Sequence, residues 1–125
     1  MSFGLVCLLT AVVTIPFGLA FLLLPESTAA LYGIVGWNAG TIAVGRLFGT
    51  ALLYIAGAVV AARHSSDVRL QRSMGAWLAP ANGIAAAVAL QAVAAGAVNA
   101  LGYSTVALYG LFAIAWATVA IRRGV

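Results

Sequence analysis

Arg46 is the residue of this chain that is most able to do chemistry, because it lies inside a long apolar run, from Ala39 to Ala62. An arginine in hydrocarbon is costly unless it is paired or hydrated, so its presence predicts a partner or a ligand. Its planar guanidinium could hold an anionic or carbonyl head group through paired hydrogen bonds. Glu26, the only acidic residue before this run, is the predicted partner of Arg46 and the candidate catalytic acid or base.

A polar pocket around Arg46 is predicted from the depths at which other polar side chains should lie. Gln91 in the third apolar run and Tyr109 in the fourth are expected near the level of Arg46. The set could bind a ligand, could form an internal salt bridge and hydrogen-bond network that only stabilises packing, or could contact a partner subunit. The sequence leaves these three interpretations open. The full cluster is predicted to consist of Arg46, Gln91, Tyr109, Asn82, Tyr32 and Trp116.

The members of this cluster are not all expected on one side of their helices. Asn82 and Gln91 are nine residues apart, so they lie on opposite sides of a straight helix. Either a bend at Pro80 rotates the two halves of the helix, or one amide faces a second subunit. Tyr109 and Trp116 belong to an aromatic stripe, which usually packs against other helices but could also contact the apolar body of a ligand.

Other kinds of site are poorly supported by the sequence. His64 is the only histidine and lies among arginines in a loop, which excludes a haem held by two histidines of one chain. Cys7 is the only cysteine, so there is no disulfide or thiolate cluster. No catalytic motif, no metal site and no cofactor is predicted.

The elements that must position these residues are membrane-spanning helices. The chain is 65% hydrophobic and 6% charged, whereas a soluble domain is about a quarter charged. Four apolar runs, at about 3–24, 39–62, 74–98 and 103–121, are each long enough to cross a bilayer. They predict an all-α four-helix transmembrane bundle that forms a single domain over residues 1–125. The segment from Pro25 to Gly33 predicts a short interfacial helix in the first outer loop.

The arginines predict the orientation of the bundle. They cluster between residues 63 and 72 and at Arg122 and Arg123, while the loop at 25–38 and the turn at 99–102 contain none. The positive-inside rule then places the N- and C-termini in the cytoplasm. This arrangement is typical of topology signals and not of a phosphate-binding face, so no nucleic acid partner is predicted.

The direction of Arg46 follows from its neighbours. Gly45 and Gly49 form a small-residue pair that allows close approach to another helix, and Arg46 adjoins that side. Arg46 is also about 10 Å from the outer end of the second run, which is deep for snorkelling. The side chain is therefore predicted to point into the bundle.

Three short motifs carry a resemblance to a known family. They are Leu24-Pro25-Glu26, Leu31-Tyr32-Gly33 and Gly45-Arg46-Leu47-Phe48-Gly49. With these motifs the chain resembles small bacterial DoxX-like four-helix integral membrane proteins. The resemblance implies a multi-pass protein of the bacterial cytoplasmic (inner) membrane and a role for Arg46 and Tyr32. Some relatives look like subunits of membrane oxidoreductases that work near quinone, and the resemblance transfers no catalytic residue.

Three functions are compatible with these observations. The first is binding of a lipophilic small molecule in the outer half of the bundle, with isomerase or cyclase activity in which Glu26 is the acid. The second is a non-catalytic accessory subunit of a larger membrane complex, for example a quinone-linked oxidoreductase. The third, an oligomeric transporter or channel, is less favoured because a water path needs more polar residues than the runs supply. The expected partners are membrane lipid, a lipophilic small molecule, and copies of the chain or a larger membrane complex.

Overall fold

Five α-helices follow one another along the chain. The computed structural model describes residues 1–122, and this range contains no β-strand. The helices are α1 (Phe3–Leu23), α2 (Pro25–Leu31), α3 (Ala39–Ala62), α4 (Val68–Ala94) and α5 (Gly102–Ile121). All except α2 are long and apolar enough to span a membrane. The prediction of an all-α four-helix transmembrane bundle with a short helix between the first two spans is confirmed, and the chain is a multi-pass membrane protein.

Local sequence explains where the helices begin. Pro25 occupies the first turn of α2, where its missing N–H costs nothing. Asn38 and Thr41 form a reciprocal capping box at the start of α3. The side chain of Asp67 accepts hydrogen bonds from the backbone N–H groups of Arg69 and Leu70, so α4 begins within the charged loop and not at about residue 74.

The end of α4 also differs from the predicted apolar span. The helix ends at Ala94, four residues before the predicted limit at 98. Gly96 has a φ of +71°, a left-handed conformation that terminates a helix and that glycine adopts without strain.

The helices pack as two antiparallel pairs, α1 with α3 and α4 with α5. One side of α3 is buried against α1. Its residues are Gly45, Gly49, Leu52, Ala56 and Val59. The closest approach lies between Gly18 and Gly49, where a Cβ added to Gly18 would be 2.9 Å from the Gly49 carbonyl oxygen. The prediction that Gly45 and Gly49 face another helix is confirmed.

A buried core joins the two pairs at the end of the bundle that holds Met1 and Arg122, which we call the inner end. Its members are Phe3, Val6, Cys7, Ala11, Val59, Trp116 and Val119. The indole N–H of Trp116 donates to the Thr10 hydroxyl at 3.2 Å, and that hydroxyl donates to the Val6 carbonyl at 2.8 Å. Trp116 is fully buried, so its contacts are those of packing between α1 and α5. The orientation of this end toward the cytoplasm stays a prediction.

The packing of α1 on α3 determines the levels of residues across the membrane. The 21 residues of α1 span about 31 Å, which matches the hydrocarbon thickness of about 30 Å. This match predicts that the outer end of the hydrocarbon lies near Pro25. A Cβ added to Gly45 would lie 3.3 Å from the Cβ of Pro25, so Gly45 lies at the same level. The first turns of α3 extend about 9 Å beyond it.

Candidate functional site: the outer groove of α3

The side chain of Arg46 is exposed in the folded chain. It lies in a shallow groove along one side of α3, which we call the outer groove. The groove is lined by Ala39, Ile42, Ala43, Arg46, Leu47 and Thr50. The expectation that Arg46 points into the bundle is thus wrong for the single chain. Successive residues of an α-helix are rotated by about 100° about its axis. Arg46 directly follows Gly45, so its side chain lies outside the side of α3 that packs on α1.

The level of Arg46 also differs from the sequence-based expectation. Because Gly45 packs beside Pro25, the length of α1 predicts that the backbone of Arg46 lies near the outer boundary of the hydrocarbon, whereas the sequence alone predicts a depth of about 10 Å. Arg63, at the inner end of α3, is seventeen residues away, which corresponds to about 26 Å along the helix. The two arginines are therefore separated by nearly the thickness of the hydrocarbon. From this level the guanidinium of Arg46 can reach lipid head groups.

Glu26 lies near Arg46 in the fold because the preceding residues, Pro25 and Gly45, pack together. The two side chains form no ion pair. Among residues 1–122 no ion pair joins a carboxylate to an arginine, so the predicted Glu26–Arg46 salt bridge is not formed. Glu26 is exposed and lies in a second depression beside the outer groove. That depression is lined by Glu26, Ser27, Ala30, Ile34, Val35, Gly36 and Trp37.

The two amides of α4 lie apart from the outer groove. Within the described residues α4 packs chiefly against α5 and makes no substantial contact with α3. The amide nitrogen of Asn82 donates to the carbonyl oxygen of Leu78 in its own helix, at 2.7 Å. Gln91 is exposed. A single pocket built from Glu26, Arg46, Gln91 and Tyr109 is consequently not formed within the chain.

A different polar cluster forms at the outer end, around Tyr32. The Thr105 hydroxyl donates to the Tyr32 hydroxyl at 3.1 Å. The backbone N–H of Asn99 donates to the Tyr32 carbonyl at 2.9 Å, and the Asn99 side chain donates to the Leu31 carbonyl at 2.9 Å. Tyr109 lies one turn farther along α5 than Thr105 and is half-buried. This cluster ties the first outer loop to the α4–α5 turn.

Several of these residues were not identified from the sequence. Asn99 and Thr105 carry no local signal beyond the preference of Asn for turns. The apolar residues that line the outer groove are typical of any membrane-spanning helix and gave no signal in the sequence. They are Ala39, Ile42, Ala43 and Leu47.

The outer groove offers binding chemistry of a simple kind. It combines one fixed positive charge with small and branched apolar side chains along about three turns of helix. Within residues 1–122 no three His, Cys, Asp or Glu side chains are grouped as a metal site would need. Comparisons of the chain with protein-family models, with curated proteins and with solved structures found no match.

Proposed function

We propose that this protein binds a lipophilic molecule with an anionic head group in the outer groove of α3. The observation that carries the proposal is that Arg46, inside a predicted membrane span, is exposed and has no ionic partner among residues 1–122. A cation at that level is stabilised by the phosphate or carboxylate of an amphiphile, and the guanidinium fork can donate two hydrogen bonds to it.

The walls of the groove suit the chain of such a molecule. Ala39 and Ala43 leave room at the outer end, beside the head group. Toward the membrane centre the hydroxyl of Thr50 donates to the Arg46 carbonyl at 2.9 Å, so its hydrogen is used within the helix. An acyl or isoprenoid chain would therefore meet little unsatisfied polarity as it runs along α3.

The location is part of the same proposal. If the termini are cytoplasmic, as the arginine distribution predicts, the groove faces the outer leaflet of a bacterial inner membrane. Membership of the DoxX-like group would agree with this location and with a role for Arg46 and Tyr32.

Binding is favoured over catalysis by the position of Glu26. An isomerase or cyclase would need this carboxylate within hydrogen-bond reach of the reacting atoms. Glu26 lies in the neighbouring depression, so only a ligand that extends from the outer groove across Pro25 would bring reactive atoms to it.

A second candidate function is that of a subunit in a larger membrane assembly, and α4 is the observation in its favour. Gly75 is the only buried residue described on α4, and the ring of Trp77 is 79% exposed. A helix packed on one neighbour leaves a wide face for a partner's helix. Purification of an intact assembly that is lost on substitution of Trp77 by Ala would favour this function.

The binding proposal is tested by native mass spectrometry of the protein released from a mild detergent. Wild type should retain lipid adducts, and Arg46→Gln should lose them because the ion pair to the head group is removed. Arg69→Gln is the matched control, since Arg69 is an exposed arginine at the inner end. A folded Arg46→Gln protein with the adducts of wild type would refute the proposal.

A further inference from the structure

Glu26 and Arg46 are the only charged side chains in residues 1–62. Residues 73–121 contain no charged side chain. The outer half of the protein therefore contains one negative and one positive side chain. Both are exposed, and they do not pair with each other. Two unpaired side chains of opposite charge in an otherwise apolar region suggest a ligand that carries both a negative and a positive charge.

The two side chains lie at the same level of the membrane. Pro25 packs on Gly45, and Glu26 and Arg46 are the next residues along the chain from that contact. Pro25 is buried and begins α2, so the position of Glu26 is fixed by the packing of its neighbour. The contact between Pro25 and Gly45 therefore holds Glu26 and Arg46, the residues that follow them, near each other in the fold.

We infer that the two charges together recognise a zwitterionic phospholipid head group that carries a primary amine. Arg46 binds the phosphate from the outer groove, and the carboxylate of Glu26 accepts hydrogen bonds from the ammonium in the adjacent depression. The inference rests on the proposed binding of an amphiphile in the outer groove, and it specifies the class of head group that this amphiphile carries. Lipid is the occupant because the groove extends one turn of α3 past Arg46, to Leu47 and Thr50, and so leads from the cation to an apolar part of the helix.

The test measures which of two lipids the full chain retains. Phosphatidylethanolamine and phosphatidylglycerol with identical acyl chains are supplied at equal concentration, and the bound ratio is read by native mass spectrometry. Wild type should prefer the ethanolamine lipid. Glu26→Gln should lower that ratio about tenfold, since a hydrogen bond between charged groups contributes enough for this change. Binding of the glycerol lipid should be kept or increased, because a negative charge beside an anionic head group is removed.

Asp67→Asn is the matched control for Glu26→Gln. It removes the other carboxylate of the protein, at the inner end, and Asn caps a helix as well as Asp does. The lipid ratio should stay at the wild-type value. A ratio that falls equally in both variants would overturn the inference, because net charge would then be the cause.

The outcomes separate this inference from the proposed function. Arg46→Gln should lose both lipids, and retention of both would overturn the outer groove itself. If Arg46→Gln loses both lipids while Glu26→Gln leaves the ratio unchanged, the groove stands and the zwitterionic head group is wrong. A strong coupling between Glu26→Gln and Arg46→Gln in the thermal stability of lipid-free protein would show a direct salt bridge and would also overturn the inference. Soluble phosphoethanolamine should not displace the lipid, and displacement would rule out lipid as the required occupant.

Discussion

Gly49→Ala should destabilise the protein, because this position lies where α1 and α3 approach most closely. A Cβ added to Gly49 would be 2.5 Å from the Gly18 carbonyl oxygen and 2.6 Å from the Leu22 nitrogen. Both atoms belong to the backbone of α1, so no side chain can rotate away. Since ordinary contact begins at 3.4 Å, the helices must move apart locally by about 0.9 Å.

The magnitude follows from two opposing effects. Forcing an extra methyl group into close packing costs about 1–3 kcal/mol. Replacing a helical glycine by alanine gains about 0.5–1 kcal/mol through backbone entropy. Because the clash at Gly49 is with backbone atoms, its cost lies in the upper part of that range, and the free energy of unfolding should fall by about 1–2.5 kcal/mol for Gly49→Ala.

Gly57→Ala is the matched control on the same helix. A Cβ added at Gly57 meets no atom within 4 Å, so only the favourable entropy effect remains. Thermal unfolding of both variants in one detergent, followed by tryptophan fluorescence, should place Gly49→Ala below wild type and Gly57→Ala at or above it. Equal stability of the two variants would refute the close approach of α1 and α3.

Two further predictions concern hydrogen bonds that hold the helix pairs together. Thr10→Val leaves the buried N–H of Trp116 without an acceptor and should lower the free energy of unfolding by about 1–3 kcal/mol. Thr118→Val, which changes an exposed threonine bonded within α5, should have little effect, and similar losses in both variants would contradict the role of the Trp116 bond. Asn99→Ala removes the bond to the Leu31 carbonyl, so the backbone amides of the first outer loop should exchange with solvent about fivefold faster. Unchanged exchange there would show that Asn99 does not hold this loop.

The sequence predicts well those features that depend on local composition. The four spans follow from runs of apolar residues that no soluble domain could contain. The side of α3 that packs on α1 follows from Gly45 and Gly49, since glycine at this spacing allows helices to approach. Both features are read from residues that are neighbours along one helix.

The direction of Arg46 could not be read in the same way. Its expected inward position rested on its place beside the Gly45–Gly49 side of α3 and on its expected depth in the membrane. In the structure α3 packs chiefly on α1, so a residue 100° from Gly45 already lies outside. Which helices are neighbours depends on the inner core around Trp116 and on the contacts of Tyr32, and these join residues far apart in the chain.

The level of Arg46 depends on the register between α1 and α3, and that register is determined by glycine. Close contacts of Gly18 with Gly49, and of Gly4 with the Arg63 carbonyl, fit the two backbones together at one relative position. A shift by a single helical turn would move Arg46 about 5.4 Å, which is enough to take its backbone from the head-group boundary into hydrocarbon or out into water. The charge of Arg46 does not select this position, since the arginine makes no ion pair with residues 1–122. The position of Arg46 relative to α1 is therefore determined by packing between the two helix backbones and not by an ion pair among residues 1–122.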